Sequence, residues 1–181
     1  MKELRKALWC VTWLLCGLAL GSVSKPEPLV ELPARATAEH RLSAILRLSD
    51  KPADVLRAWQ IGTGSFRVPA ADRITRGAPI VAFVFFTGCM PDENGMCNAS
   101  ADFTIRKPDG SMYATFEDRD LWKGKPAPPE GTVRLSAEHV GVIIEPEDPL
   151  GEYEFHVSIH DLNAGTSLEL KQAFTATDSE P

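Results

Sequence analysis

The sequence predicts an all-β fold, an antiparallel β-sandwich of about seven or eight strands, because short runs alternate apolar with polar residues and turn residues separate them. The composition is 44% hydrophobic and 24% charged, which is typical of a folded chain and not of a disordered one. A length of 181 residues suits one domain with a modest extension.

Residues 1–24 have the pattern of a secretory signal peptide. Three basic residues stand among the first six, and an uncharged apolar run from Ala7 to Leu20 follows them. A membrane-spanning helix needs roughly 20 residues, so this run is too short, and the small residues after it suit a cleavage site. We expect cleavage after Gly21 or Ser24 and a periplasmic or secreted product with no membrane span. An uncleaved N-terminal anchor is the alternative.

Residues 25–58 are predicted to form an N-terminal extension. Prolines keep its beginning extended, because they restrict the residues before them. The stretch from Arg41 to Leu48 alternates like a strand, yet it also fits a helical face. Asp50 stands before Pro52 in the position of a cap for a short helix through Trp59. Helix and strand both stay open for this part of the chain.

The predicted sandwich domain covers residues 59–177, and a tail of residues 178–181 follows. Pro108-Asp109-Gly110 joins two alternating runs and is a specific hairpin signal, because Pro fixes φ and Gly accepts a positive φ. Gly151–Asp161 alternates most cleanly, with Tyr153 at the start of its apolar face. The predicted strands lie at residues 65–68, 80–86, 101–106, 112–116, 133–135, 140–144, 151–161 and 168–174.

The strand at residues 80–86 differs from the others because it is apolar on both faces. One face enters the core of the sandwich. The second face needs a cover, since a large bare apolar patch is unusual on a soluble monomer. Either residues 29–59 fold over it, or Phe83 and Phe85 belong to a partner-binding face.

Cys89 and Cys97 remain after signal cleavage and lie just beyond this strand. An even pair in an oxidising compartment predicts one disulfide, and closing so short a loop stabilises the fold by about 2–3 kcal/mol. Met90 and Met96 lie inside the loop. The four sulfur atoms also fit a Cu(I) site, because soft ligands suit a soft ion.

Trp122 precedes a proline-rich stretch, and it either stacks on a sugar or peptide or pins this long loop to the sandwich. It completes the predicted binding surface, which consists of Phe83, Phe85, Met90, Met96 and Trp122.

His156 and His160 share one face of a predicted strand. They lie about 13 Å apart along it, whereas metal ligands sit about 2 Å from their ion, so the two cannot bind one ion together. We interpret them as solvated histidines and keep them as candidate zinc ligands only with help from neighbouring strands. The sequence predicts no bound metal and no cofactor.

Charge and motif searches narrow the possible functions. The formal net charge is -6 and the isoelectric point is about 5.2, so no basic surplus exists to neutralise nucleic acid. The sequence contains no nucleophile elbow and no histidine pair with metalloprotease spacing. We interpret the acidic clusters at residues 117–120 and 145–148 as solvated turns, and a small hydrolase is the alternative.

Three segments carry a resemblance to a known family. Thr75–Ile80, Pro108-Asp109-Gly110 and Asp148–Tyr153 resemble segments of bacterial exported immunoglobulin-like and macroglobulin-type β-sandwich modules. The resemblance covers about residues 60–176 and implies an immunoglobulin-like fold without implying a ligand. The chain departs from typical immunoglobulin domains because both cysteines lie in one loop. It also resembles periplasmic proteins of Gram-negative bacteria.

We therefore expect an exported, non-enzymatic binding or accessory module that recognises a protein or a cell-envelope component. The alternative is a periplasmic copper- or zinc-binding protein.

Overall fold

The structure, a computed structural model, describes residues 42–61 and 68–178. Over these residues the chain is an all-β sandwich of two sheets, as predicted, with one helix outside. The elements are β1 Ser43–Ser49, α1 Pro52–Ile61, β2 Arg73–Thr75, β3 Pro79–Thr87, β4 Met96–Arg106, β5 Met112–Pro126, β6 Arg134–Leu135, β7 Val140–Ile143, β8 Gly151–Asp161 and β9 Thr166–Thr177. The predicted signal peptide lies outside the described residues, and so do residues 62–67.

The strands pair in two groups. The first sheet has the order β1-β3-β6, with β7 also paired to β3, and the second sheet has the order β2-β9-β8-β4-β5. All pairs are antiparallel except β2 with β9, where Arg73–Thr75 runs parallel to Thr175–Thr177. The described residues thus hold nine strands. The sequence did not predict the very short β2, whereas β6 corresponds to the strand predicted at residues 133–135.

The core lies between the two sheets and follows from side-chain alternation. In β8, every second residue from Tyr153 to Ile159 is fully buried, and full burial of one such side chain contributes about 1.5–3 kcal/mol. The hydroxyl of Tyr153 donates to the carbonyl of Pro149 at 2.7 Å. This bond ties the start of β8 to the turn before it, as a tyrosine corner does in immunoglobulin-like sandwiches.

The sandwich begins earlier than the boundary predicted at residue 59. Ser43–Ser49, assigned from sequence to an extension, is β1 and pairs with β3 over its whole length. Its residues Ala44, Leu46 and Leu48 are buried in the core between the sheets. Pairing with β3 selects the strand over the helix here, because in a strand all of these alternating apolar residues are buried together. The short helix that the sequence predicts from Pro52 onward is present as α1.

The second face of β3 is covered by the preceding segment, which is the first of the two alternatives that the sequence left open. Phe83 and Phe85 are therefore not part of an exposed binding surface, which corrects their assignment to one. Phe83 and Phe85 have no exposed surface and pack with Val55 of α1 in a second, smaller core. The Trp59 ring meets the Phe85 ring edge-on at 5.5 Å between centroids. An apolar row of this size is stable only away from water, so α1 serves as its lid.

Candidate functional site

The chain between Cys89 and Cys97 forms a closed loop at one end of the sandwich. The predicted disulfide is present, with an S–S distance of 2.03 Å, and both cysteines are buried. Because the two sulfur atoms are bonded to each other, this form of the chain offers no thiolate to Cu(I).

A buried carboxylate attaches this loop to the turn that follows β8. Asp161 is 1% exposed, and its Oδ2 accepts the backbone N–H of Met90 at 2.8 Å. Its Oδ1 accepts the N–H groups of Asn163 and Ala164 at 3.2 and 3.1 Å. A buried carboxylate is costly unless hydrogen bonds replace its water, and these three donors do so.

Asn163 completes the attachment from the solvent side. Its Nδ2 donates to the carbonyls of Met90 and Met96, at 2.9 Å in both cases. The two carbonyls belong to opposite ends of the loop that the Cys89–Cys97 disulfide closes, which we call the stapled loop, so one amide group holds both of them. Sequence reasoning missed Asp161 and Asn163. The available signal was the polar Asp161 at an inward position of the otherwise apolar face of β8.

The tip of the loop is held by its own hydrogen bonds. Asp92 Oδ1 accepts the N–H groups of Asn94 and Met96 at 2.9 and 2.8 Å. The hydrogen bond from the Met96 N–H is the largest cause that lowers the pKa of Asp92, and desolvation opposes it. Gly95, with φ at 77°, makes the tight return that this turn requires.

We call Met90, Met96, Leu162 and Asn163 the stapled loop surface. Both methionines are partly exposed, and Leu162 is an exposed large apolar residue at 54%. The surface therefore combines apolar contact groups with a backbone that is held by one disulfide and by the hydrogen bonds of Asp161 and Asn163.

Trp122 is held beside this region and is not a free stacking platform. Its Nε1 donates to the carbonyl of Pro126 at 2.9 Å, and its ring meets Phe86 edge-on at 5.7 Å. Lys125 and Arg134 lie 5.7 and 5.9 Å from the ring centroid. Trp122 thus pins the proline-rich stretch to the sandwich, the second of the two roles that the sequence allowed.

The strand histidines each have a carboxylate partner on the outward face of the second sheet. His156 Nε2 lies 2.6 Å from Glu154 Oε2. His160 Nε2 lies 3.1 Å from Asp102 Oδ2, and its Nδ1 lies 2.9 Å from Ser167 Oγ. Nowhere in residues 42–61 and 68–178 do three His, Cys, Asp or Glu side chains gather around a possible metal position.

Aspartates of both acidic clusters form ion pairs or hydrogen bonds with other groups of the protein. Asp118 and Asp120 pair with Lys123 and Lys125 of the same strand. Asp148 Oδ2 accepts the Tyr113 hydroxyl at 2.8 Å and the Glu145 N–H at 3.0 Å. These contacts stabilise turns and the edge of β5.

A concave site of about 400 Å³ opens on the side of the sandwich, between β5 and β7. We call it the edge pocket, and its lining residues are Phe116, Arg119, Glu138, His139, Val140 and Gly141. Arg119 and Glu138 come closest at 4.0 Å, between Nη1 and Oε2. Burial lowers the pKa of His139, whose ring lies 4.7 Å from that of Phe83. The lining residues come from, or lie next to, strands of different sheets that do not pair, so their proximity cannot be recognised from the sequence.

Comparisons with known proteins identify no family. No family model matches the chain, and no curated protein does. Among solved structures, it resembles a family 123 glycoside hydrolase from Clostridium perfringens, with a TM-score of 0.42 and 8% identity over 76% of this chain and 27% of that one. The chain thus spans about a quarter of that enzyme's length.

Two further solved structures, of which the chain covers a larger share, have similarly low TM-scores. A Niemann-Pick type C2 protein from the Japanese carpenter ant has a TM-score of 0.39 and 12% identity over 58% of this chain and 79% of its own. The CARDB domain of a Pyrococcus furiosus protein, solved with di-metal ions, has a TM-score of 0.39 and 8% identity over 77% of this chain and 92% of its own. Likenesses this distant assign no ligand and no activity.

No helix within the described part of the chain is long and apolar enough to cross a membrane.

Proposed function

We propose that this protein is an exported, non-enzymatic binding module that recognises a protein of the cell envelope through the stapled loop surface. The observation that supports this function is the attachment of the stapled loop surface, with its exposed Leu162 and partly exposed methionines, by the Cys89–Cys97 disulfide and by the hydrogen bonds of Asp161 and Asn163.

Rigidity at this loop favours binding over a purely structural role. A loop that is already ordered loses little conformational entropy when a partner binds it, so more of the contact energy contributes to affinity. Leu162 supplies apolar area, and the methionines adapt to irregular partner surfaces. Binding residues on loops above a β scaffold are a common arrangement in all-β domains.

Export agrees with the disulfide and with the predicted signal peptide. Disulfides persist in oxidising compartments and are rare in the cytosol, where thiols are kept reduced. The net charge of -6 favours a soluble envelope protein and disfavours adhesion to anionic lipid.

Site-specific photocrosslinking tests the proposal. A photoreactive amino acid replaces Leu162 in the full chain, and a matched control chain carries it at Ile143. Ile143 is also an exposed apolar residue, at 45%, but it lies near the start of β8 and not near its end. We expect Leu162 to capture one discrete envelope protein that Ile143 does not capture.

The capture must also depend on the loop surface itself. An Asn163→Ala change in the Leu162 crosslinking chain removes the bonds to Met90 and Met96 and should reduce the yield. Equal capture from both positions, or no capture from Leu162, contradicts the proposal.

A further inference from the structure

The edge pocket occupies a short gap between two edge strands of different sheets. At one end, the Tyr113 hydroxyl of β5 donates to the carbonyl of Ile143 in β7 at 2.9 Å. At the other end, the N–H groups of Ala137 and Glu138 donate to the carbonyls of Leu121 and Asp120 at 3.1 and 2.9 Å. The open part of β7 between them is about 10 Å long at about 3.3 Å per residue, too short for an added peptide strand.

An irregularity in β5 shapes the wall of this gap. Between two positions that pair with β4, at Phe116 and Arg119, β5 contains one residue more than β4. Asp118 lies in this interval with φ at 55°, and its N–H donates to Asp102 Oδ1 at 2.7 Å. Such bulges redirect side chains, and here both flanking residues, Phe116 and Arg119, line the pocket.

The opposite wall offers backbone groups. The carbonyl of Ile143 points toward β5, because it accepts the Tyr113 hydroxyl. Backbone groups repeat their direction every second residue in a strand, so the N–H and C=O of Gly141 point into the gap as well. Gly141 has no side chain to cover them and lines the pocket.

Three side chains add further donors and acceptors. The guanidinium of Arg119 and the carboxylate of Glu138 are 46% and 49% exposed. Arg119 Nε donates to the carbonyl of Glu117 at 3.0 Å, and Glu138 Oε2 accepts the Asp120 N–H at 3.0 Å. The Nη groups of Arg119 and Oε1 of Glu138 are the atoms that can bond a ligand. His139 is neutral at neutral pH because burial lowers its pKa, and Ser136 Oγ lies 3.3 Å from its Nδ1. The opposite charges of Arg119 and Glu138 offset each other, so the wall favours a neutral ligand.

We infer that the edge pocket binds a neutral saccharide, either a monosaccharide or the terminal residue of a glycan. A sugar ring has hydroxyls that both donate and accept, which the backbone of Gly141 and the side chains of Arg119 and Glu138 satisfy together. Its C–H face is apolar and packs on Phe116. A volume of about 400 Å³ is within the range of small-molecule sites. This binding uses none of the residues of the stapled loop surface.

Amide chemical-shift mapping on the purified chain tests this inference. The probes are glucose, galactose, mannose and N-acetylglucosamine, each titrated at millimolar concentrations, with acetate and guanidinium as charged comparison probes. We expect at least one sugar to shift the amides of residues 116–119 and 138–141. Arg119→Ala should weaken that binding about tenfold, because a hydrogen bond from a charged donor is lost.

Arg57→Ala is the matched control, since Arg57 is an exposed arginine of α1 with only a surface ion pair to Asp54. It should leave the sugar affinity unchanged. Glu138→Gln keeps an acceptor for the neighbouring N–H and serves as a second pocket variant. The inference is overturned if no sugar shifts the pocket amides, if the shifts map elsewhere, or if acetate alone produces them. The crosslinking result at Leu162 does not depend on any of these outcomes.

Discussion

The buried carboxylate of Asp161 accepts the backbone N–H of Met90 at 2.8 Å, which joins residues 71 positions apart in the chain. Through this bond, the last residue of β8 determines where the stapled loop lies relative to the turn that carries Leu162 and Asn163. The loop and the turn therefore act as one surface.

Replacing Asp161 by alanine should lower the free energy of unfolding by about 2–3 kcal/mol, because three backbone N–H groups in part-buried positions lose their acceptor. Urea denaturation monitored by tryptophan fluorescence measures the change. Glu147→Gln, in an exposed turn, is the control and should change stability by less than about 0.5 kcal/mol. Equal effects of the two substitutions would show that Asp161 does not hold the loop.

Opening the disulfide should destabilise the folded chain by about 2–3 kcal/mol, because the unfolded chain regains the freedom of the closed loop. Thermal unfolding of the native chain with and without a thiol reductant measures this effect. The Cys89→Ser, Cys97→Ser double variant provides the control, since its unfolding temperature should match that of the reduced chain and should not respond to reductant. A reductant response in this variant contradicts the interpretation.

Shortening Val55, the side chain of α1 that is buried over β3, should lower the free energy of unfolding. Val55→Ala removes two methyl groups from a fully buried position against Phe83 and Phe85, and we expect a loss of about 2 kcal/mol. Its neighbour Leu56 is 36% exposed, so Leu56→Ala is the matched control and should cost clearly less. If both variants unfold at the same urea concentration, α1 does not act as the lid of this second core.

Because of His139, the stability of the folded chain should decrease as the pH falls below about 6.5, the ordinary pKa of a histidine. Burial lowers the pKa of His139 in the folded chain. The unfolded chain therefore binds a proton at a higher pH than the folded chain does, and protonation favours unfolding. The contribution of His139 to the stability of the folded chain is complete above pH 6.5. It is lost as the pH falls through the lowered pKa that His139 has in the folded state.

Urea unfolding across this pH range, with His139→Gln as the comparison variant, measures the effect. The variant should show a flatter decrease between neutral pH and mildly acidic pH. The carboxylates of Asp92, Asp109, Asp120 and Asp148 also have lowered pKa values, but they lose their charge only at lower pH. Identical slopes in both chains would refute the role of His139.

Local patterns predicted the strands whose alternation is complete. Gly151–Asp161 is β8, and Pro108-Asp109-Gly110 forms the turn between β4 and β5, with φ at 81° for Gly110. The disulfide followed from counting cysteines after removal of the signal segment. The segment from Arg41 to Leu48 was ambiguous, because its apolar residues satisfy both a period of two and a helical face. Only pairing with β3 selects the strand.

The binding-surface prediction mixed residues that the fold separates. Phe83 and Phe85 are apolar enough for an interface, but sequence alone cannot show that α1 lies over them. Asp161 and Asn163 are ordinary turn residues in sequence, and they become the attachment of the stapled loop only when β8 ends beside it.

Composition, alternation and cysteine count thus determined from sequence alone that this chain is an all-β sandwich with one disulfide loop, because these properties depend on neighbouring residues. Tertiary structure decided which face of β3 is covered, which side chains hold the loop, and that a pocket opens between β5 and β7. These features depend on contacts between residues far apart in the chain. Alternation indicates which face of a strand is apolar, but not which distant segment packs on it.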